Sequence, residues 1–149
     1  MISVIGDLWN FQLGNNLRHI RCITTNLTVR QDGKLVMGKG CALQARMRFV
    51  GIDDRLGKLV SNGNVGIILL DDLGLLVFPT KRNYYEKADI NLIRKSAKEL
   101  TNMATQRQDC VFILPRPGCG LGALDWHNEV KPVIEKILPD NVLAISQEG

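Results

Sequence analysis

The sequence predicts an α/β domain with helices on both faces of a central sheet, and three observations predict it. Short apolar runs such as "VGIILL" and "CVFIL" alternate with segments of helical period. Glycine-rich turns follow several of those segments. The chain is 149 residues long and has no repeat, low-complexity tract or Pro/Ser-rich linker, so residues 1–149 read as one domain.

Each element has its own justification. "ISVIGDL" and "HIRCITTN" read as strands, and "GCALQARMRF" as a helix. "NVGIILLDD" and "LGLLVFPT" read as consecutive strands joined by a tight turn over Asp71, Asp72 and Gly74. Ile90, Ile93, Ala97, Leu100 and Ala104 then fall at helical spacing, with Arg94, Lys95, Lys98 and Glu99 on the opposite face. Asp89 stands where an N-cap belongs. "CVFIL" is a buried strand, Val130, Val133, Ile134 and Ile137 mark a last helix, and "NVLAIS" is the closing strand. Pro132 belongs in the first turn of that helix, because an interior proline would break it.

Composition narrows the function classes. The longest apolar runs are too short to cross a bilayer, and "MISVIGDLWNF" lacks the basic, apolar and small-residue sequence of a signal peptide, so the expected location is the cytoplasm, away from membranes. Cys22, Cys41, Cys110 and Cys119 show no C-x-x-C spacing, and His19 and His127 have no nearby Cys or His. No metal site and no cofactor is expected. A net charge of +4, spread along the chain, tolerates a polyanionic partner without demanding one.

In sheets of this kind ligands bind beyond the strand ends, so the loops there carry the chemistry. Gly38 and Gly40 lie directly before a helix, where free N–H groups and the helix dipole favour an anion; a plain turn is the bland reading. Asn26, at a strand end, serves as ligand or as turn residue. "LPRPGCGLGALDW" places Gly118, Gly120 and Gly122 at alternate positions after a buried strand, more glycine than a turn needs. Lys81 and Arg82 follow another strand, with Tyr84 and Tyr85 close behind. They read either as exposed cations or as a partly desolvated lysine whose lowered pKa makes it nucleophilic. Asp7 ends the first strand, as a hydrogen-bond acceptor or a cap.

Taken in order, "IGDL", "ITTN", "MGKGCALQ" and "PGCGLGALDW" resemble the corresponding stretches of the macrodomain family, modules that bind ADP-ribose. With "FPTKR", the set resembles the lysine-dependent branch, which includes the eukaryotic terminal ADP-ribose glycohydrolase and the bacterial DNA ADP-ribosyl glycohydrolase antitoxin. The resemblance implies a three-layer α/β/α fold around a central mixed sheet. It also implies roles: Asp7 accepts from the adenine amino group with Leu8 beside it, and Asn26 orients the distal ribose. Gly38, Lys39, Gly40 and Cys41 supply backbone contacts to the diphosphate and distal ribose; Gly118, Cys119, Gly120, Leu121 and Gly122 close from the other side. Lys81 is the implied catalytic amine.

One position departs from the pattern. The eukaryotic enzyme carries an aspartate directly after its G-C-G-L, where this chain has Gly122; Asp125 follows three residues later. The reading that results is a monomeric ADP-ribosyl hydrolase acting on a modified macromolecule, DNA ahead of protein, with single-stranded DNA as a further partner. A non-catalytic ADP-ribose reader, a phosphatase of ADP-ribose 1''-phosphate and a single-strand binder using Tyr84 and Tyr85 are the alternatives.

Overall fold

The computed structural model describes residues 1–148. Six strands form one sheet in the order β1-β6-β5-β2-β4-β3. These are β1 (Ile2–Ile5), β2 (Arg18–Thr25), β3 (Ile68–Leu70), β4 (Leu75–Pro79), β5 (Cys110–Pro115) and β6 (Val142–Ser146). Every pairing is parallel except β3 with β4, which makes the sheet mixed. Parallel strands need crossovers, and helices supply them. One face carries α1 (Gly40–Arg48) and α2 (Ile52–Ser61), the other α3 (Ile90–Thr105) and α4 (Lys131–Ile134).

Alternation along the strands divides the core in two. Ile20, Cys22, Leu76, Phe78, Phe112 and Leu114 pack with Ile93, Ala97 and Leu100 of α3. Ile23, Leu75, Val77 and Ile113 pack with Ala42, Ala45, Ile52 and Leu56 of α1 and α2. Burying a side chain of this size contributes roughly 1.5–3 kcal/mol, so the doubly covered central strands are the strongest part of the fold.

The predicted boundaries move in three places. The first strand ends at Ile5; Gly6 still donates to the Ser146 carbonyl at 2.9 Å, and the chain turns after Asp7. The strand expected over 64–72 shrinks to Ile68–Leu70 and runs into a short 3₁₀ turn at Asp71–Leu73, which Gly74 closes with φ +60°. The last helix opens with a wide π turn, Trp126–Val130, in which the Val130 N–H reaches back to the Asp125 carbonyl at 3.1 Å. Pro132 then sits in the first turn of α4, and Asp89 caps α3 by accepting from the Asn91 N–H at 2.9 Å.

Helix α2 is an element that the sequence reading lacks. Its apolar residues Ile52, Leu56 and Val60 do repeat at helical spacing, but Gly57 interrupts them. A Cβ at Gly57 would lie 1.9 Å from the Gly33 carbonyl oxygen, so the glycine lets the 33–35 segment lie directly on the helix. Gly57→Ala is expected to destabilise the fold by about 3 kcal/mol, the upper range for overpacking, read as a shifted urea midpoint at unchanged m-value.

Candidate active site

Because five of the six strands run parallel, their C-terminal ends share one edge of the sheet. Asp7 lies just past β1, Asn26 past β2, Lys81 past β4 and the 116–122 loop past β5. Since β2 lies between β5 and β4, Asn26 stands between the glycine loop and Lys81. Asp7 and Lys81 are separated by four strand spacings, roughly 19 Å, so a ligand touching both is long and two-ended.

Two arrays of unpartnered N–H groups flank this edge. At α1 the N-cap is Lys39, extended at φ −148°, and no side chain caps the helix. The N–H groups of Gly38, Lys39, Gly40 and Cys41 therefore lack acceptors among the described residues. A Cβ at Gly38 or Gly40 would meet nothing within 4 Å, and Gly40 holds φ +61°. Cys41 anchors the helix start to β2: its Sγ accepts from the Thr24 N–H at 3.3 Å and lies 3.3 Å from Thr24 Oγ1.

In the second array, the N–H groups of Gly120, Leu121 and Gly122 find no acceptor among the described residues. The three glycines nevertheless do different work. A Cβ at Gly118 would come within 2.8 Å of Ile93 and 2.9 Å of Ala88, and one at Gly122 within 2.7 Å of both Ala88 and the Gly118 carbonyl. At Gly120 it would meet nothing within 4 Å. Gly118 and Gly122 serve packing, and Gly120 keeps the open side clear. The loop closes through Ala123 at φ +65°, the one non-glycine among the described residues in the left-handed region, a conformation that costs about 1–2 kcal/mol. Nothing in the sequence signals that strain.

Lys81 is half-buried, with no hydrogen-bond or ion-pair partner for its amine among the described residues. The segment around it is stapled on both sides. Leu27 N–H donates to the Arg82 carbonyl at 3.1 Å, and Ala88 N–H donates to the Gly122 carbonyl at 3.0 Å. Arg82 is not the bare neighbouring cation that the sequence reading takes it for, since its guanidinium pairs with Asp89 at 2.9 Å.

Other predicted residues are held by their own surroundings. Asp7 Oδ2 accepts from the Trp9 and Asn10 N–H groups, both at 3.1 Å, which makes it the cap of a turn. Leu8 is buried. Asn26 donates to the Val36 carbonyl at 3.0 Å and accepts from the Thr28 N–H at 2.9 Å, tying the 26–36 loop together. Asp125 stands at the N-cap of the π turn, its N–H donating to Glu129 and its carboxylate accepting from Asn128. A cavity of about 400 Å³ lies beside the glycine loop, lined by Arg116, Cys119, Gly120, Asp125, Trp126 and Ser146 among others. It was not foreseen that Arg116 would lie over the Trp126 ring, 5.1 Å from its centroid, and wall this cavity.

No family model matches the chain. It is 28% identical over 143 residues to the Bos taurus ADP-ribose glycohydrolase OARD1, an alignment covering 96% of this chain and 87% of that protein. The macrodomain of Thermus aquaticus DarG superposes with a TM-score of 0.74 at 24% identity, over 99% of this chain and 97% of that one. Thermosipho africanus DarTG, solved in complex with ADP-ribose, gives a TM-score of 0.75 at 19% identity, over 99% of this chain and 42% of that one.

The fold is that of a macrodomain.

In this fold the glycine loop bears on cysteine chemistry. Burial, with Asp125 and Glu129 nearby, pushes the Cys119 thiol up to about 11, against a smaller opposing pull from Arg116. Cys119 is thus a protonated thiol near neutral pH, packed with its Sγ 3.3 Å from the Pro117 carbonyl. Iodoacetamide at about pH 8 is expected to label Cys119 at least tenfold more slowly than a free cysteine of pKa about 8.5. The rate should still be climbing at about pH 10, as followed by peptide mass spectrometry.

Proposed function

We propose that this macrodomain is an ADP-ribosyl hydrolase, releasing ADP-ribose from a modified macromolecule with Lys81 as the nucleophile. The observation that carries the reading is the pair of unpartnered N–H arrays facing one sheet edge, at 38–41 and at 120–122. Such arrays suit a diphosphate, whose charge backbone donors and a helix start both favour. The roughly 19 Å between Asp7 and Lys81 suits a ligand with a base at one end and the reacting ribose at the other. That OARD1 is named an ADP-ribose glycohydrolase, and that the DarTG structure holds ADP-ribose, adds support.

The chemistry follows from the free amine of Lys81. Its lone pair attacks the anomeric carbon of the distal ribose, the carbon–carrier bond breaks, and the carrier leaves with the bonding pair. The proton then lost by the lysine nitrogen returns to the carrier through water. Ring opening leaves an iminium; water adds to it, the carbon–nitrogen bond breaks, and ADP-ribose departs from a regenerated amine. A carboxylate at position 122 is not part of this scheme, because the loop has no room for a side chain there.

DNA is the preferred carrier on this reading. Tyr84 and Tyr85, 55% and 74% exposed, meet edge-on with centroids 5.4 Å apart, three and four residues beyond Lys81. Exposed rings of this kind stack unpaired bases, each contact contributing about 1–3 kcal/mol.

Two experiments test the reading. Gly120→Val is expected to abolish ADP-ribose binding by calorimetry while the melting temperature stays within a few degrees; unchanged affinity would remove the loop from the site. Lys81→Ala should bind ADP-ribose normally yet fail to release it from modified DNA or protein, and Lys81→Arg should be equally inactive because guanidinium stays protonated. Borohydride should trap an adduct on the native protein alone. Full turnover by Lys81→Ala would dismiss the lysine mechanism.

A further inference from the structure

A second cavity, of about 440 Å³, lies away from the site just described, lined by Trp9, His19, Arg21, Arg48, Phe49 and Leu73 among others. Arg21 pairs with Leu75 at the start of β4, four residues before the Thr25–Pro79 pair that precedes Lys81. At strand rise this places the cavity about 13 Å down the sheet from the strand ends that precede the lysine.

Its lining is cationic and aromatic, without a carboxylate. The guanidinium carbon of Arg48 lies 4.6 Å from the Trp9 ring centroid, and Arg48 has no ion-pair or hydrogen-bond partner among the described residues. Arg21 is half-buried and donates to the Leu8 and Phe11 carbonyls at 2.7 and 2.9 Å, with no ion pair among the described residues. Burial pushes its guanidinium down from the ordinary arginine range; Asp7 opposes that and Arg48 adds to it. The carboxylates next to Leu73 are already engaged, Asp71 by Arg18 and Asp72 by Arg55. His19 is tied to the neighbouring loop, its Nε2 accepting from the Leu13 N–H at 2.9 Å. Trp9 and Phe49 stand 6.3 Å apart at 54°, two aromatic walls beside Arg48, which no anion answers among the described residues, and Arg21, whose nearest influential carboxylate is Asp7.

We propose that this cavity binds a nucleotide of single-stranded nucleic acid, with the base against Trp9 and Phe49 and the phosphate on Arg48 and Arg21. The volume is that of a small-ligand site. Paired aromatic and cationic contacts are what a flexible nucleic-acid strand uses, with little regard to sequence. An acidic peptide would answer the arginines but leave both rings uncovered. The site is separate from the ADP-ribose reading and does not depend on it.

The test uses the intact protein and an unmodified, fluorescein-labelled oligothymidylate of about ten residues, followed by anisotropy at low salt with saturating ADP-ribose present. Binding is expected to persist under ADP-ribose and to weaken steeply as salt rises. Arg48→Ala should lower the affinity tenfold or more, Arg48→Lys less, and Lys98→Ala, on the outer face of α3, not at all. Arg48 is exposed at the end of α1, so melting curves should match the native protein. Thymidine monophosphate, which carries the base and the phosphate that the cavity takes, should compete for it. Absence of binding, displacement by ADP-ribose, or an Arg48→Ala variant that binds as the native protein does would each overturn the proposal.

Discussion

The mouth of the sheet depends on one contact, in which Gly118 and Gly122 meet against Ala88 with no room for a side chain on either glycine. That contact folds the 116–122 loop back on itself, helped by the Leu124 N–H bonded to the Gly118 carbonyl at 2.9 Å. Folding it so leaves the N–H groups of 120–122 without internal partners. The same contact brings the Gly122 carbonyl to the Ala88 N–H, which fixes the far end of the segment that carries Lys81. The glycine loop and the Lys81 segment are therefore parts of one packed unit. Its strain is concentrated in the left-handed Ala123, consistent with the tendency of functional loops to hold costly backbone.

Much of this was legible in the sequence, for identifiable reasons. A doubly covered strand must be apolar throughout, and "CVFIL" and "LLVF" are apolar at every position. Asp89 was legible as a cap because cap chemistry is local. Helix α2 was not, since Gly57 is explained only by a carbonyl from residue 33, a contact between segments distant in the chain. The three loop glycines look alike in sequence, yet two answer to Ala88 and one to open space. Their alternation signalled a crowded backbone without saying what crowds it. Arg82 misled for the same kind of reason: its partner Asp89 is seven residues away, across a loop whose path no periodicity predicts.

Gly122 also bears on the chemistry. A chain that carried an aspartate there would need a different loop, because the position faces Ala88 and the Gly118 carbonyl at 2.7 Å. Asp125 does not replace it, being exposed and held at the start of the π turn by Asn128 and Glu129. The loop has given up a side-chain acid in exchange for a close-packed backbone. The lysine mechanism proposed above would then draw on the amine, the backbone dipoles and solvent, with the electrostatic share borne by preorganised N–H groups.

The turn at 7–11 joins the second cavity, through Trp9, to the strand end that carries Asp7. Asp7 caps it from the strand end, through the Trp9 and Asn10 N–H groups, and Arg21 holds it from below, through the Leu8 and Phe11 carbonyls. Trp9 completes the link to α1 by donating from Nε1 to Gln44 at 2.8 Å, one turn beyond the N–H array at Gly40. A ligand that shifts Trp9 therefore acts on the same backbone that presents Asp7, and on the helix that presents the N–H array at 38–41. Where two ligands bias one such element, linkage requires that each change the other's affinity by the same factor. A strand seated against Trp9 and Arg48 would then do more than add contacts. It would also bear on how firmly the turn holds Asp7 at the end of β1.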